Sequence, residues 1–139
     1  MSNSSNQQLR EVIADFLEMG HIDTIITMFK RDPSCLLLSG GLIQDERFKV
    51  RIGMAVLFEE LVAEMPHTVM DAAVPSLAVA MRHDALYVRG DAACLMATIR
   101  SSMALDVLAE FRHDPDPQIS EIVEEALGLG FRKEFWQKK

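Results

Sequence analysis

Asp114-Pro115-Asp116-Pro117-Gln118-Ile119-Ser120 opens a helix that Gly128 closes, and the reading of this stretch decides the fold. An aspartate carboxylate accepts the orphan amide protons of a first helical turn, and proline at the first helical position arrives with φ preset and no bond to lose. Glycine after Leu127 supplies the left-handed residue that ends many helices. Moved back by 31 residues, the same register returns: Ile119 falls on Val88, Val123 on Ala92, Ala126 on Leu95 and Leu127 on Met96. The preceding segment moves with it, Leu105 onto Val74 and Leu108 onto Leu77, so the recurring unit is a pair of helices. A further shift of 38 places Val88 on Val50, Ala92 on Met54, Leu95 on Leu57, Met96 on Phe58 and Ile99 on Leu61. Three helices therefore carry one apolar stripe.

A stripe that recurs every 30 to 40 residues or so marks a stacked array, because one helix pair alone cannot bury its apolar face. At these residues the chain resembles the HEAT-like repeat family of α-solenoids. Asp114 to Gly128 looks like the second-helix motif of its bacterial branch associated with phycobilin lyases. That pattern places arginine after the first apolar residue of the helix; Arg51 and Arg89 comply, and Ser120 departs from it. The resemblance implies an all-α chain: a short α-solenoid of stacked antiparallel helix pairs, about three repeats with capping helices. One domain over 1–139 is expected, with an irregular N-terminal cap over 6–44, repeats over 45–128 and a cap or tail over 131–139.

Composition agrees with helices packed on helices. The chain is 49% apolar but only 6% aromatic, with nine methionines, and no stretch sustains the alternation of a strand. A net charge of −7 opposes partners approached through phosphates or an anionic surface, so neither nucleic acid nor membrane is expected as a partner. Cys35 and Cys94 stand apart with no spacing motif, and no long apolar run occurs, which together predict reduced thiols in a cytoplasmic protein.

In chain order, residues 1–5 offer nothing to bury and are expected to be unstructured, with Asn6 capping a helix whose stripe is Leu9, Val12, Ile13, Phe16 and Leu17 and which stops at Gly20. Ile22, Ile25, Ile26 and Phe29 make a second stripe, ended by Asp32-Pro33. Ser39-Gly40-Gly41 is expected to break a short irregular helix. From Glu46 to Glu64 Phe48, Val50, Met54, Leu57, Phe58 and Leu61 are expected to point inward. Pro66 ends this helix and Thr68 to Asp71 reads as a capping box; Pro75 either kinks the helix that follows or marks its true beginning, and the resemblance to HEAT-like units favours the kink. Ser101-Ser102 caps the next, with Leu105, Leu108 and Phe111 inward.

Chemistry-bearing constellations are sparse. His21, His67, His83 and His113 all fall at predicted helix ends or turns and lack the spacing of a metal site, so no metal and no cofactor is expected. His83 and His113, each followed by aspartate, read as equivalent repeat positions. Asp45, Asp84 and Asp114 form a row at successive turns, with Arg51 and Arg89 following; capping carboxylates and arginines that bridge turns explain them better than catalysis does. Cys94 is expected to pack as a small apolar residue.

In stacked helix pairs the second helices line the concave side, and residues one step off the stripe face the hollow. That row is Lys49, Gly53, Val56 and Glu60, then Tyr87, Asp91, Cys94 and Thr98, then Gln118, Ile122, Glu125 and Leu129. The expected function is a non-catalytic scaffold or adaptor that binds a protein partner through this face, with Tyr87 and Asp91 central. The tail Phe131 to Lys139, with Trp136, is either a cap over the last repeat or an aromatic anchor, including one for a homo-oligomer. The alternative implied by the resemblance is an accessory subunit of an enzyme such as a bilin-lyase-like protein; DNA-glycosylase-type activity is opposed by the charge.

Overall fold

The structure is a computed structural model that describes residues 2–128, with side chains from residue 4 onward. Every element among the described residues is helical: α1 (Ser2–Glu18), α2 (Ile22–Arg31), a 3₁₀ segment (Pro33–Leu38), α3 (Ser39–Leu42), α4 (Phe48–Glu64), α5 (His67–Met70), a 3₁₀ turn (Asp71–Ala73), α6 (Val74–Ala80), α7 (Leu86–Ile99), α8 (Ser102–Ala109) and α9 (Pro117–Ala126). The expected tail over 131–139, with Trp136, and Leu129 lie outside the described residues.

The helices touch in two series. In one, α1 packs on α4, α4 on α7 and α7 on α9. In the other, α2 meets the segment Pro33–Leu38, α3 meets α6 and α6 meets α8. The series are joined by α2 on α4, α6 on α7 and α8 on both α7 and α9. Between them lies one continuous core. Val50, Val88 and Ile119 are each the third residue of their helix and each is fully buried. Met54, Leu57, Phe58 and Leu61 follow on α4, Ala92, Leu95, Met96 and Ile99 on α7, and Val123 and Ala126 on α9. Burying a side chain of this size contributes about 1.5–3 kcal/mol relative to leaving it exposed, so the shared stripe is the main source of cohesion.

Helix ends follow the sequence punctuation at several points. Gly20 and Gly128 adopt φ of +86° and +77°. Asp32 accepts from the Ser34 amide ahead of Pro33, Ser101 accepts from Ala104 N, and Asp116 accepts from Gln118 N with Pro117 at the first position. Arg100 alone among the described non-glycine residues takes a left-handed conformation, φ 54°, where α7 turns into α8.

Four local expectations are corrected, and one left between two readings is decided. α1 begins at Ser2, so residues 2–5 are helical and Asn6 sits inside the helix; each added residue of a formed helix gains a backbone bond at little cost, even on an exposed polar stretch. Phe48 is 64% exposed, because as the first residue of α4 it lies two residues, or roughly 200°, from Val50. Thr68 makes no cap: Pro66, extended at ψ 154°, starts α5 earlier and leaves Thr68 within its first turn. Ser39-Gly40-Gly41 forms the helical turn α3 instead of breaking one. Gly40 donates its amide to Ser76 Oγ at 2.9 Å, and a Cβ there would stand 2.3 Å from the Ser76 carbonyl oxygen, so the missing side chain is what lets α3 approach α6. Pro75 stands in the first turn of α6; the backbone keeps helical angles through Asp71–Val74 while its hydrogen bonding tightens to 3₁₀, so the proline both interrupts and restarts the helix.

Candidate interaction face

Three equivalent turns deliver α4, α7 and α9 to their places. In each, the residue before the helix is extended, with Arg47 at ψ 120°, Ala85 at 128° and Asp116 at 120°. In each, a side chain two residues earlier accepts that residue's amide: Asp45 from Arg47 at 2.9 Å, His83 from Ala85 at 3.0 Å, Asp114 from Asp116 at 2.9 Å. The expected row Asp45, Asp84, Asp114 is therefore Asp45, His83, Asp114. The imidazole Nδ1 takes the place of a carboxylate oxygen, and the match of His83 with His113 gives way to the 31-residue register. Asp45 also meets the Arg47 guanidinium, whose hydrogen bonds outweigh burial and hold its carboxyl below the usual range. Arg47 reaches on to Asp15 and Glu18 of α1 at 3.0 and 2.6 Å; the three carboxylates raise its pKa further and tie the turn to α1.

Part of the row one step off the stripe lies in seams between helices, and the rest is open. Tyr87 and Asp91 grip Arg51 of α4: the guanidinium lies 4.3 Å from the Tyr87 ring centroid and Nε bonds Asp91 at 2.7 Å. Tyr87 also donates its hydroxyl to the Gln44 carbonyl at 2.8 Å. Gly53 is buried against Leu17 of α1. Thr98 is half-buried and donates to the Cys94 carbonyl one turn back, and Ile122 is half-buried too. Lys49, Val56, Glu60, Gln118 and Glu125 remain exposed. Arg89, in the place of Arg51, turns back to the carbonyls of His83 and Asp84 at 3.1 Å each. Its counterpart partners, 31 residues on from Tyr87 and Asp91, would be Gln118 and Ile122, which offer neither an aromatic face nor a carboxylate.

The open face lies farther round. At about 100° per residue, Phe48, Ile52 and Val56 stand opposite the core stripe of α4, and Leu86, Gly90 and Cys94 hold the same places on α7. The first three are exposed, as are Leu86 and Cys94, and a Cβ on Gly90 would meet nothing within 4 Å. On α9 the same positions are Pro117, Glu121 and Glu125, all exposed. An apolar surface on α4 and α7 therefore runs into an acidic one on α9. Beside it, a groove lined by Leu17, Met19, Ile22, Lys49, Ile52 and Val56 separates α4 from the α1–α2 corner. The sequence carried this signal: α4 and α7 are apolar on nearly all sides, more than one buried stripe requires.

Cys94 is thus at the surface rather than packed. Partial desolvation, then the carboxylates of Asp91 and Glu125, push its thiol up, which disfavours the reactive thiolate. Cys35 is buried, and burial followed by Asp32 raises it as well. Among the described residues no group of three His, Cys, Asp or Glu is placed to hold a metal, and no helix is long and apolar enough to cross a membrane. Compared with known family models, curated proteins and solved structures, the chain matches none.

Proposed function

We propose that the chain is a short α-solenoid of the HEAT-like kind that serves as a non-catalytic protein–protein interaction module, with α4, α7 and α9 presenting the docking face. The common place of Val50, Val88 and Ile119, on helices that pack in order, supports the architecture. The observation that carries the function is the line Phe48, Ile52, Val56: three apolar side chains exposed on one helix side, continued by Leu86 and Cys94 on the next. Scattered exposed apolar residues are ordinary, whereas a contiguous set marks a surface that binds something. The acidic flank on α9 favours a partner with basic as well as apolar character.

The test is co-purification from native extract with wild-type, Ile52→Glu/Val56→Glu and Tyr87→Ala proteins. A partner is expected to be lost with the first variant and kept with Tyr87→Ala, since Tyr87 faces Arg51. Equal recovery of every partner by the Ile52→Glu/Val56→Glu protein rejects the face.

A further inference from the structure

On the outer side of α4, Lys49, Ile52, Ala55, Val56, Glu59 and Glu60 are all exposed and lie within an arc of roughly 140° at about 100° per residue. The middle of this side is apolar, and its two ends carry opposite charges. Lys49 and Glu60 share one flank of it, about three turns or roughly 16 Å apart along the helix. Neighbouring charges are used within the chain: Arg47 meets Asp15, Glu18 and Asp45, and Arg51 meets Asp91. Lys49 and Glu60, by contrast, make no ion pair or hydrogen bond among the described residues.

This pattern is its own complement. A two-fold axis perpendicular to α4 and near its middle turns the helix end for end and keeps each flank on the same side. Lys49 of one copy then comes level with Glu60 of the other, and Ile52 with Val56. A surface that closes a dimer must match itself in this way. Parallel alignment would set Lys49 against Lys49 and Glu60 against Glu60.

We infer that the outer side of α4 pairs antiparallel with the same side of a second copy, with Ile52 and Val56 packed across the axis and Lys49 meeting the other copy's Glu60 at both ends. This rests on the reading of the α4–α7–α9 face as a docking surface and names the occupant of its α4 part. The net charge of −7 and the exposed Glu121 of α9 repel a second copy elsewhere on the face. Contact is therefore confined to α4 and leaves Leu86, Cys94 and α9 to a partner of basic and apolar character.

The test is sedimentation velocity on the full chain across a wide concentration range. Wild-type protein is expected to form dimers whose share rises with concentration, and Ile52→Glu/Val56→Glu to remain monomeric. Lys49→Glu and Glu60→Lys should each weaken association about tenfold, because the symmetry turns two attractive contacts into two repulsive ones. Glu60→Lys makes the chain less acidic, so an effect of bulk charge would strengthen association there instead. An equimolar mixture of the two single variants, and the Lys49→Glu/Glu60→Lys protein by itself, should recover the wild-type affinity. Both positions are exposed, so helix content should not change in any variant. The inference is overturned by a wild-type protein that stays monomeric, by dimers indifferent to Lys49→Glu and Glu60→Lys, or by single variants that weaken association without recovery in the mixture. A monomeric wild type whose partner is still lost with Ile52→Glu/Val56→Glu fails the pairing alone; dimers that follow the charge swap while every partner is recovered equally fail the partner-docking reading alone.

Discussion

The seam between α4 and α7 and the seam between α7 and α9 are built on the same buried stripe, yet only the first has the arginine lock. There, Arg51 lies against Tyr87 and bonds Asp91. On the next helix of the series the arginine is present as Arg89, but Gln118 and Ile122 stand where Tyr87 and Asp91 stood, and Arg89 bonds carbonyls of its own preceding turn. The difference teaches that cohesion comes from the apolar stripe, while the lateral lock is an addition that depends on the partner positions rather than on the arginine.

That comparison breaks most readily at the stripe. Leu57→Ala in α4 and Val123→Ala in α9 remove fully buried side chains, and Leu57→Ala is expected to cost about 2–5 kcal/mol in denaturant unfolding, with a smaller but clear loss at Val123. Less than about 1 kcal/mol at either site would mean the stripe is not the source of cohesion. Next comes the lock. Its ion pair is partly exposed, so Arg51→Ala should cost about 1–2 kcal/mol, combining a modest ion pair with the stacked guanidinium. A double-mutant cycle with Asp91→Ala that shows no coupling would dissolve the contrast between the seams.

A smaller effect comes from the turn before α4. Asp45 titrates below its unfolded value of about 3.9, so its stabilisation is complete above that pH and fades as pH falls through the lower folded value. Asp45→Asn should therefore flatten the acid side of the stability–pH profile, leaving the neutral side parallel to wild type. An unchanged acid slope would remove the Arg47 contact as its cause. Smallest is the attempt to copy the lock: Gln118→Tyr puts an aromatic ring in reach of Arg89 and should gain about 0.5 kcal/mol in thermal unfolding. A loss there would show that Arg89 is held by its carbonyls more firmly than by any ring.

Much of the candidate face was legible in outline and misplaced in detail. Tyr87 and Asp91 stand out in the sequence as a lone tyrosine and an acid at helical spacing, and in the structure both face Arg51 of the neighbouring helix. Phe48 is apolar like the stripe, but its two-residue offset from Val50 points it away from the core. Residue type pairs His83 with His113, whereas the hydrogen bond from the Ala85 amide pairs it with Asp45 and Asp114.

By itself the sequence determined that the described chain is helical, where its main helices stop, and that α4, α7 and α9 share one register. Those properties are local: apolar spacing, proline, glycine and capping side chains act within a few residues. Only the tertiary structure decided which flank of each helix is covered and which is open, that Gly40 is a contact point for α6, and that Arg51 is locked while Arg89 is not. A helical register fixes the angle between two side chains on one helix, but what lies across from them is set by segments distant in the chain, whose approach no spacing along one helix encodes.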